Sequence, residues 1–231
     1  MSEIRSIFNR IAPVYDQLND WLSFGQHRIW KEMTVKWSAA NPGDKVLDLC
    51  CGSGDLAFRL ARKVGKTGKV EAVDFSSELL EVAKQRSAYY YPTPPISWIE
   101  ADVLELPFDD NKFDAATMGY GLRNVTDIPL CLKELHRVLK TQATAAILDF
   151  HRPENTLMRG FQQWYLDNLV VPAASQMGLK EEYAYINPSL ERFHDGKEQI
   201  KIAREVGFVN AVHYPIANGM MGVLVITKDG S

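Results

Sequence analysis

The chain predicts an α/β fold: a seven-stranded, mostly parallel sheet with helices on both faces and an antiparallel strand near the C-terminus. Three observations carry that expectation. Strand-like and helix-like segments alternate from about residue 44 onward, a rhythm that builds parallel sheets. The first strand runs straight into a glycine turn, Cys51-Gly52-Ser53-Gly54, that opens a helix. The last two strands are joined by only Pro215-Ile216-Ala217-Asn218-Gly219, too short for a helical crossover, so they pair as an antiparallel hairpin.

Strands are expected over 45–50, 69–73, 96–101, 113–118, 144–151, 209–214 and 221–227. Helices are expected between them over 55–64, 77–89, 128–139 and 197–206. Gly43-Asp44 opens the first strand, and the prolines from Pro92 to Pro95 break the chain before the third. The segment 156–176 carries Leu157, Met158, Phe161, Trp164, Tyr165, Leu166, Leu169 and Val170 at roughly helical spacing. Such a stripe reads as a core helix, or as one that covers a lipid tail or touches a membrane. The whole is one domain, divided into a helical lid (1–40), a cofactor-binding core (41–151), a helical substrate-side insertion (152–195) and a C-terminal helix with hairpin (196–231).

Composition narrows the function classes. With 231 residues, 46% hydrophobic and 24% charged, the chain is long enough for one large core. A formal net charge of −3 gives a nucleic acid no electrostatic help. No apolar run approaches the length of a membrane span. The opening Met-Ser-Glu-Ile-Arg-Ser lacks a secretory stretch, and Glu3 argues against a transit peptide despite Arg5 and Arg10. Cys50, Cys51 and Cys131 show no C-x-x-C spacing, and the five histidines are scattered. That pattern predicts a reducing, cytoplasmic setting with no metal centre, leaving peripheral membrane contact and a homodimer open.

The chemistry begins at Asp48. It ends the first strand four residues before Gly52, where a dinucleotide site would continue apolar. A carboxylate there repels a pyrophosphate and suits a cationic ligand end, such as the amino group and sulfonium of S-adenosylmethionine. In the turn, Asp48, Cys51, Gly52, Ser53 and Gly54 are the candidate cofactor contacts, because bare backbone amides and a helix N-terminus lie together there. Asp74 ends the second strand twenty residues after Gly54 and can accept both ribose hydroxyls, with Phe75 beside it. After the third strand, Asp102 and Val103 are placed to read an adenine, or simply form an acidic turn. After the fourth come Gly119, Gly121, Arg123 and Asn124, donors in a glycine-flanked loop; the bland alternative is an Arg that caps the Asp127 region. D-x-x-x-G-x-G thus resembles a methyltransferase first motif. The competing readings are a nicotinamide dehydrogenase and an ordinary glycine turn.

Ahead of this core, Tyr15, Asp16, Asn19, Trp21, His27, Arg28 and Trp30 gather in one short stretch. So many polar and aromatic groups are costly to bury without partners, which suggests a lid over the ligands. Read from Tyr15 to Trp30, Y-D-x-x-N-D-x-x-S-x-G-x-H-R-x-W resembles the signature of the ubiquinone/menaquinone biosynthesis C-methyltransferases. The resemblance continues through 48–55, Leu106-Pro107-Phe108, 121–125, 136–140 and Tyr183-Ala184-Tyr185-Ile186, covering essentially the whole chain. The closing segment 214–223 is most similar to the cyanobacterial and plastid branch. Two departures stand out: Thr141-Gln142-Ala143 replaces the family's Pro-Gly-Gly in what reads as a turn, and Asp149-Phe150-His151 replaces Glu-Phe-Ser.

The resemblance implies a class I, Rossmann-like methyltransferase that uses S-adenosylmethionine to methylate a ring carbon of a reduced prenylated naphthoquinone. Demethylphylloquinol is the expected acceptor, with demethylmenaquinol or a ubiquinone precursor as the alternative, and a non-catalytic S-adenosylmethionine-binding protein as a further one. A quinone ring is too electron-poor to attack a sulfonium, whereas a hydroquinone that has lost a proton is not. A phenol titrates near ~10, so the site must favour its anion. Arg123 is the expected electrostatic stabiliser, and Tyr15, Asp16, His27 and Asn124 are the groups expected to orient or relay the proton.

Overall fold

The structure, a computed structural model, describes residues 25–90, 92–176 and 186–230. Helix α1 (Gln26–Trp37) leads into β1 (Lys45–Leu49), α2 (Asp55–Val64), β2 (Lys69–Asp74), α3 (Ser77–Ser87), β3 (Ile96–Glu100) and β4 (Phe113–Gly119). Then come α4 (Ile128–Val138), β5 (Leu139–Phe150), α5 (Thr156–Tyr165), α6 (Val171–Gln176), α7 (Ile186–Arg192), α8 (Gly196–Val206), β6 (Phe208–Ile216) and β7 (Met221–Lys228).

The seven strands form one sheet in the order β3-β2-β1-β4-β5-β7-β6. β1 lies parallel to both β2 and β4, and β4 lies parallel to β5. β7 runs antiparallel to β5 and to β6, so the reversed strand is inserted beside the edge rather than at it. The chain winds outward from β1 to β3, then returns to build the other half from β4. The carboxyl ends of β1 and β4 therefore diverge into a crevice, the place where open α/β sheets bind ligands.

Both faces of the sheet are covered, which is why its central strands are apolar on both sides. Leu47, Leu49, Phe113 and Met118 pack with Leu132 and Leu135 of α4 and Ile202 of α8. Val46, Val70 and Ala115 pack with Leu56, Leu60 and Val64 of α2 and Val35 of α1. At the sheet's far end the ring of His213 on β6 fits between two glycines. A Cβ on Gly196 would lie 2.5 Å from its Nδ1, and one on Gly222 would strike its Nε2.

Two expectations are corrected. Thr141-Gln142-Ala143 is no turn, because β5 already begins at Leu139. The β4–β5 register passes from Phe113↔Leu139 to Ala115↔Thr144, a bulge that absorbs the extra residues, with Gln142 at φ 64. The apolar stripe of 156–176 is not a core helix throughout. A π-turn, Leu166–Val170, interrupts it. Leu166 and Val170 are buried with Gln162, while Leu157 is 82% exposed and Phe161, Trp164 and Leu169 about half exposed. Gln162 is inside because its amide donates to the carbonyls of His151 and Met220.

Candidate active site

The crevice holds a cavity lined from α1, the β1–α2 turn and the ends of β2, β3 and β4. Its floor is the glycine turn. Gly52 has φ +53, and Gly54 has φ +93 and caps α2. A Cβ at Gly54 would also come within 2.5 Å of Trp98 Cη2, so this glycine serves packing as well as the turn. Asp74 shapes the turn from β2: its Oδ2 accepts from the Gly52 amide at 2.9 Å and its Oδ1 from the Ser76 amide at 2.9 Å. Asp74 lines the cavity from the end of β2, where a carboxylate can take a ribose hydroxyl.

Asp48 is fully buried. Its Oδ1 accepts from Thr117 Oγ1 at 2.6 Å across the β1–β4 pairing, where the two residues sit in register. Its Oδ2 has no hydrogen-bond partner among the described residues. Burial pushes the Asp48 carboxyl up to about 7, against the opposing pull of the Thr117 hydroxyl. Asp102 spends one oxygen on the Leu104 amide at 2.9 Å, and Val103 lines the cavity beside it.

The walls are fastened by charge. Asp55, at the first turn of α2, receives Lys31 Nζ at 2.6 Å and Arg86 Nη2 at 2.7 Å, which together hold its carboxyl well below the usual range despite its burial. Arg86 also donates to the Ser53 carbonyl and hydroxyl at 2.9 and 3.0 Å. Three helices are thereby tied to the turn.

Nearly all expected cofactor residues line this cavity: Asp48, Cys51, Gly52, Ser53, Asp74, Phe75, Asp102, Val103 and Gly119. Gly54 does not, being behind the turn. Of the expected catalytic group, Asn124 lines the cavity; its Nδ2 donates to the Tyr120 carbonyl at 3.3 Å and its buried Oδ1 has no partner among the described residues. His27 is buried on α1 and does not line the cavity formed by the described residues, whereas Lys31, one turn on, does. Tyr15 and Asp16 lie outside the described residues.

Arg123 requires correction. Among the described residues it is not one of those that line the cavity, and it makes no hydrogen bond or ion pair there with the Asp127 region. It pairs with Asp149 Oδ1 at 2.6 Å, donates to the Tyr120 carbonyl at 3.0 Å and stacks over Phe150. Its own amide reaches Asp149 Oδ2 at 3.0 Å. A cation neutralised in this way fixes the loop and is a poor reserve of charge for a substrate anion. Sequence reasoning missed Lys31, Tyr120 and Thr117. The available signal for Thr117 was a lone hydroxyl in the Ala-Ala-Thr-Met strand; for Lys31 it was the four-residue spacing from His27.

A site for S-adenosylmethionine needs a donor for the methionine carboxylate, for which Lys31 lines the cavity, and acceptors for an ammonium, a ribose and an adenine amine. Asp48 with a bare buried oxygen, Asp74 and Asp102 meet that need, and the same carboxylates would repel a pyrophosphate. Sheet order, reversed β7 and this acidic crevice define the class I S-adenosylmethionine-dependent methyltransferases. A solved S-adenosylmethionine-dependent methyltransferase from Thermotoga maritima, described as a possible histamine N-methyltransferase, shares the fold with a TM-score of 0.68 over 97% of this chain and 99% of that one, at 20% identity. The chain belongs to the ubiE/COQ5 methyltransferase family, whose model matches residues 1–228. It is 72% identical to the "2-phytyl-1,4-naphtoquinone methyltransferase" of Nostoc sp. over 98% of this chain and 99% of that protein. It is 54% identical to the chloroplastic "2-phytyl-1,4-beta-naphthoquinone methyltransferase" of Arabidopsis thaliana over 98% of this chain and 88% of that one.

Proposed function

We propose that this enzyme methylates the ring carbon of 2-phytyl-1,4-naphthoquinol, yielding phylloquinol. The observation that carries the reading is the 72% identity, end to end, with the Nostoc enzyme of that name. When bound, S-adenosylmethionine supplies an electrophilic methyl on a sulfonium. The residues of the chain do the rest. Asp48 counters the cation from below, Asp74 and Asp102 orient the nucleoside, and Cys51, Gly52, Ser53, Phe75, Val103 and Gly119 shape its bed. Gly54 supports that bed from behind through Trp98.

Asn124 offers its bare Oδ1 to a hydroxyl of the acceptor, fixing the ring so that carbon, methyl and sulfur lie in line. Arg123 acts indirectly: anchored on Asp149, it donates to the Tyr120 carbonyl that Asn124 also contacts. Tyr15, Asp16 and His27 belong in this reading to a lid formed by residues 1–40 that excludes water from the phenolate. The phytyl tail runs along Leu157, Phe161, Trp164 and Leu169, and their exposure supports contact with lipid. Among the described residues no helix is long and apolar enough to cross a membrane.

The test is a strictly anoxic assay with labelled S-adenosylmethionine. The dithionite-reduced phytyl naphthoquinone should be methylated and its oxidised form left alone. Equal turnover of a verified oxidised sample would overturn the ring-anion chemistry, and a preference for a demethylmenaquinol would reassign the tail.

A further inference from the structure

β4 reads Phe-Asp-Ala-Ala-Thr-Met-Gly, and Thr117 stands directly across from Asp48 in the parallel register. It is 1% exposed. A buried hydroxyl needs an acceptor, and a β-branched side chain in a strand has little rotamer freedom. Its bond to Asp48 Oδ1, at 2.6 Å, therefore fixes the plane of the carboxylate, and Oδ2 is left buried without a hydrogen-bond partner among the described residues in a side chain that lines the cavity. Few other groups favour the Asp48 anion. The Ala57 amide of α2 comes next after Thr117 in favouring it, and Lys31 of α1, itself engaged by Asp55 at 2.6 Å, contributes less. Asp74 of β2 opposes it, and the neighbouring Cys50 and Cys51 thiols are held protonated by burial.

We infer that Thr117 is a positioning residue for the methyl donor: its hydroxyl favours the Asp48 carboxylate and turns it so that Oδ2 meets the cation of S-adenosylmethionine. The inference rests on the methyltransferase reading of the cavity. It makes cofactor affinity depend on pH through a residue that touches no ligand.

The experiment titrates wild type, Thr117→Val and Thr117→Ser with S-adenosylmethionine by calorimetry from about pH 6 to 9, a range spanning the Asp48 value of about 7. Valine keeps the shape and removes the donor. Its Asp48 should take up a proton more readily, so binding should weaken roughly tenfold near neutrality and return towards wild type at the alkaline end. Thr117→Ser should follow wild type. Equal affinity of the valine variant and wild type at every pH overturns the inference. So does a pH-independent loss shared by valine and serine, which marks a packing role. If valine crowds the site and the variant does not fold, Thr117→Ala is held to the same outcomes. Failure of the wild type itself to bind removes the cofactor assignment as well, and is told apart because no arm titrates.

Discussion

The ends of β1 and β5 each carry a buried aspartate, and the two are treated in opposite ways. Asp149 has both oxygens engaged: Oδ1 by the Arg123 guanidinium and the Phe150 amide, Oδ2 by the Arg123 amide. Asp48 is held by one neutral hydroxyl and keeps an oxygen bare. The first arrangement is a fastener whose charge is already spent. The second is unfavourable on its own and becomes favourable when a cation arrives. The difference separates scaffold from binding group more sharply than residue type or burial does, since both are buried aspartates at strand ends.

Breaking the fastener should have the largest effect. Arg123→Ala leaves Asp149 buried with only backbone amides and no cation, a loss that typically costs up to about 3–5 kcal/mol. Calorimetric melting should show the fall, with cofactor binding and turnover declining alongside it. Pairing Arg123→Met with Asp149→Leu should recover much of the lost stability. A single variant with a wild-type Tm and a collapsed kcat would return Arg123 to the chemistry and dissolve the comparison.

Asp48→Asn should act on the ligand instead. The lost charge-assisted contact is expected to weaken S-adenosylmethionine binding by about 1.5–3 kcal/mol, measured as Kd, with no fall in Tm. A drop in stability comparable to that of Arg123→Ala would make Asp48 a fastener too.

The same residue sharpens the comparison through pH. Its folded value of about 7 lies above the ordinary 3.8, so the folded state binds the extra proton between those values. The Asp48 contribution to ligand-free stability should therefore be full below about pH 4 and decline as pH rises to about 7. Urea unfolding across that window should show the decline in wild type and a flatter curve in Asp48→Asn. A wild-type curve without this component would remove the bare carboxylate from the argument.

The smallest effect is expected on the outer helix. Phe161→Ser and Trp164→Ser remove half-exposed apolar area, so each should raise KM for the phytyl substrate a few-fold, corresponding to about 1 kcal/mol, without altering cofactor Kd or Tm. Unchanged KM in both would detach α5 from the tail.

Much of the cofactor half was legible because its signals are local. A strand, an acid and two glycines in nine residues can be read directly, and helix 55–64 was placed to the residue. Asp74 was legible by its distance from the turn. The roles of Arg123 and Thr117 were not, because each depends on a partner far along the chain: Asp149 is 26 positions from Arg123, and Asp48 is 69 from Thr117. The β5 boundary was missed for another reason. A bulge lets Thr141 and Gln142 stay in the strand although they resemble a turn. The outer stripe could not be assigned from periodicity, since a π-turn shifts its phase at Leu166.

The wedge formed by His213 between Gly196 and Gly222 carries a consequence for how such chains change. Neither glycine can gain a side chain while the imidazole stands, because the new carbon would occupy ring atoms. A smaller residue at 213 would lift both prohibitions at once. The three positions are then epistatic: a route that shrinks position 213 first meets no clash with the ring, while one that begins at either glycine must displace the imidazole. Among homologues, a non-glycine residue at 196 or 222 should always travel with the loss of the histidine.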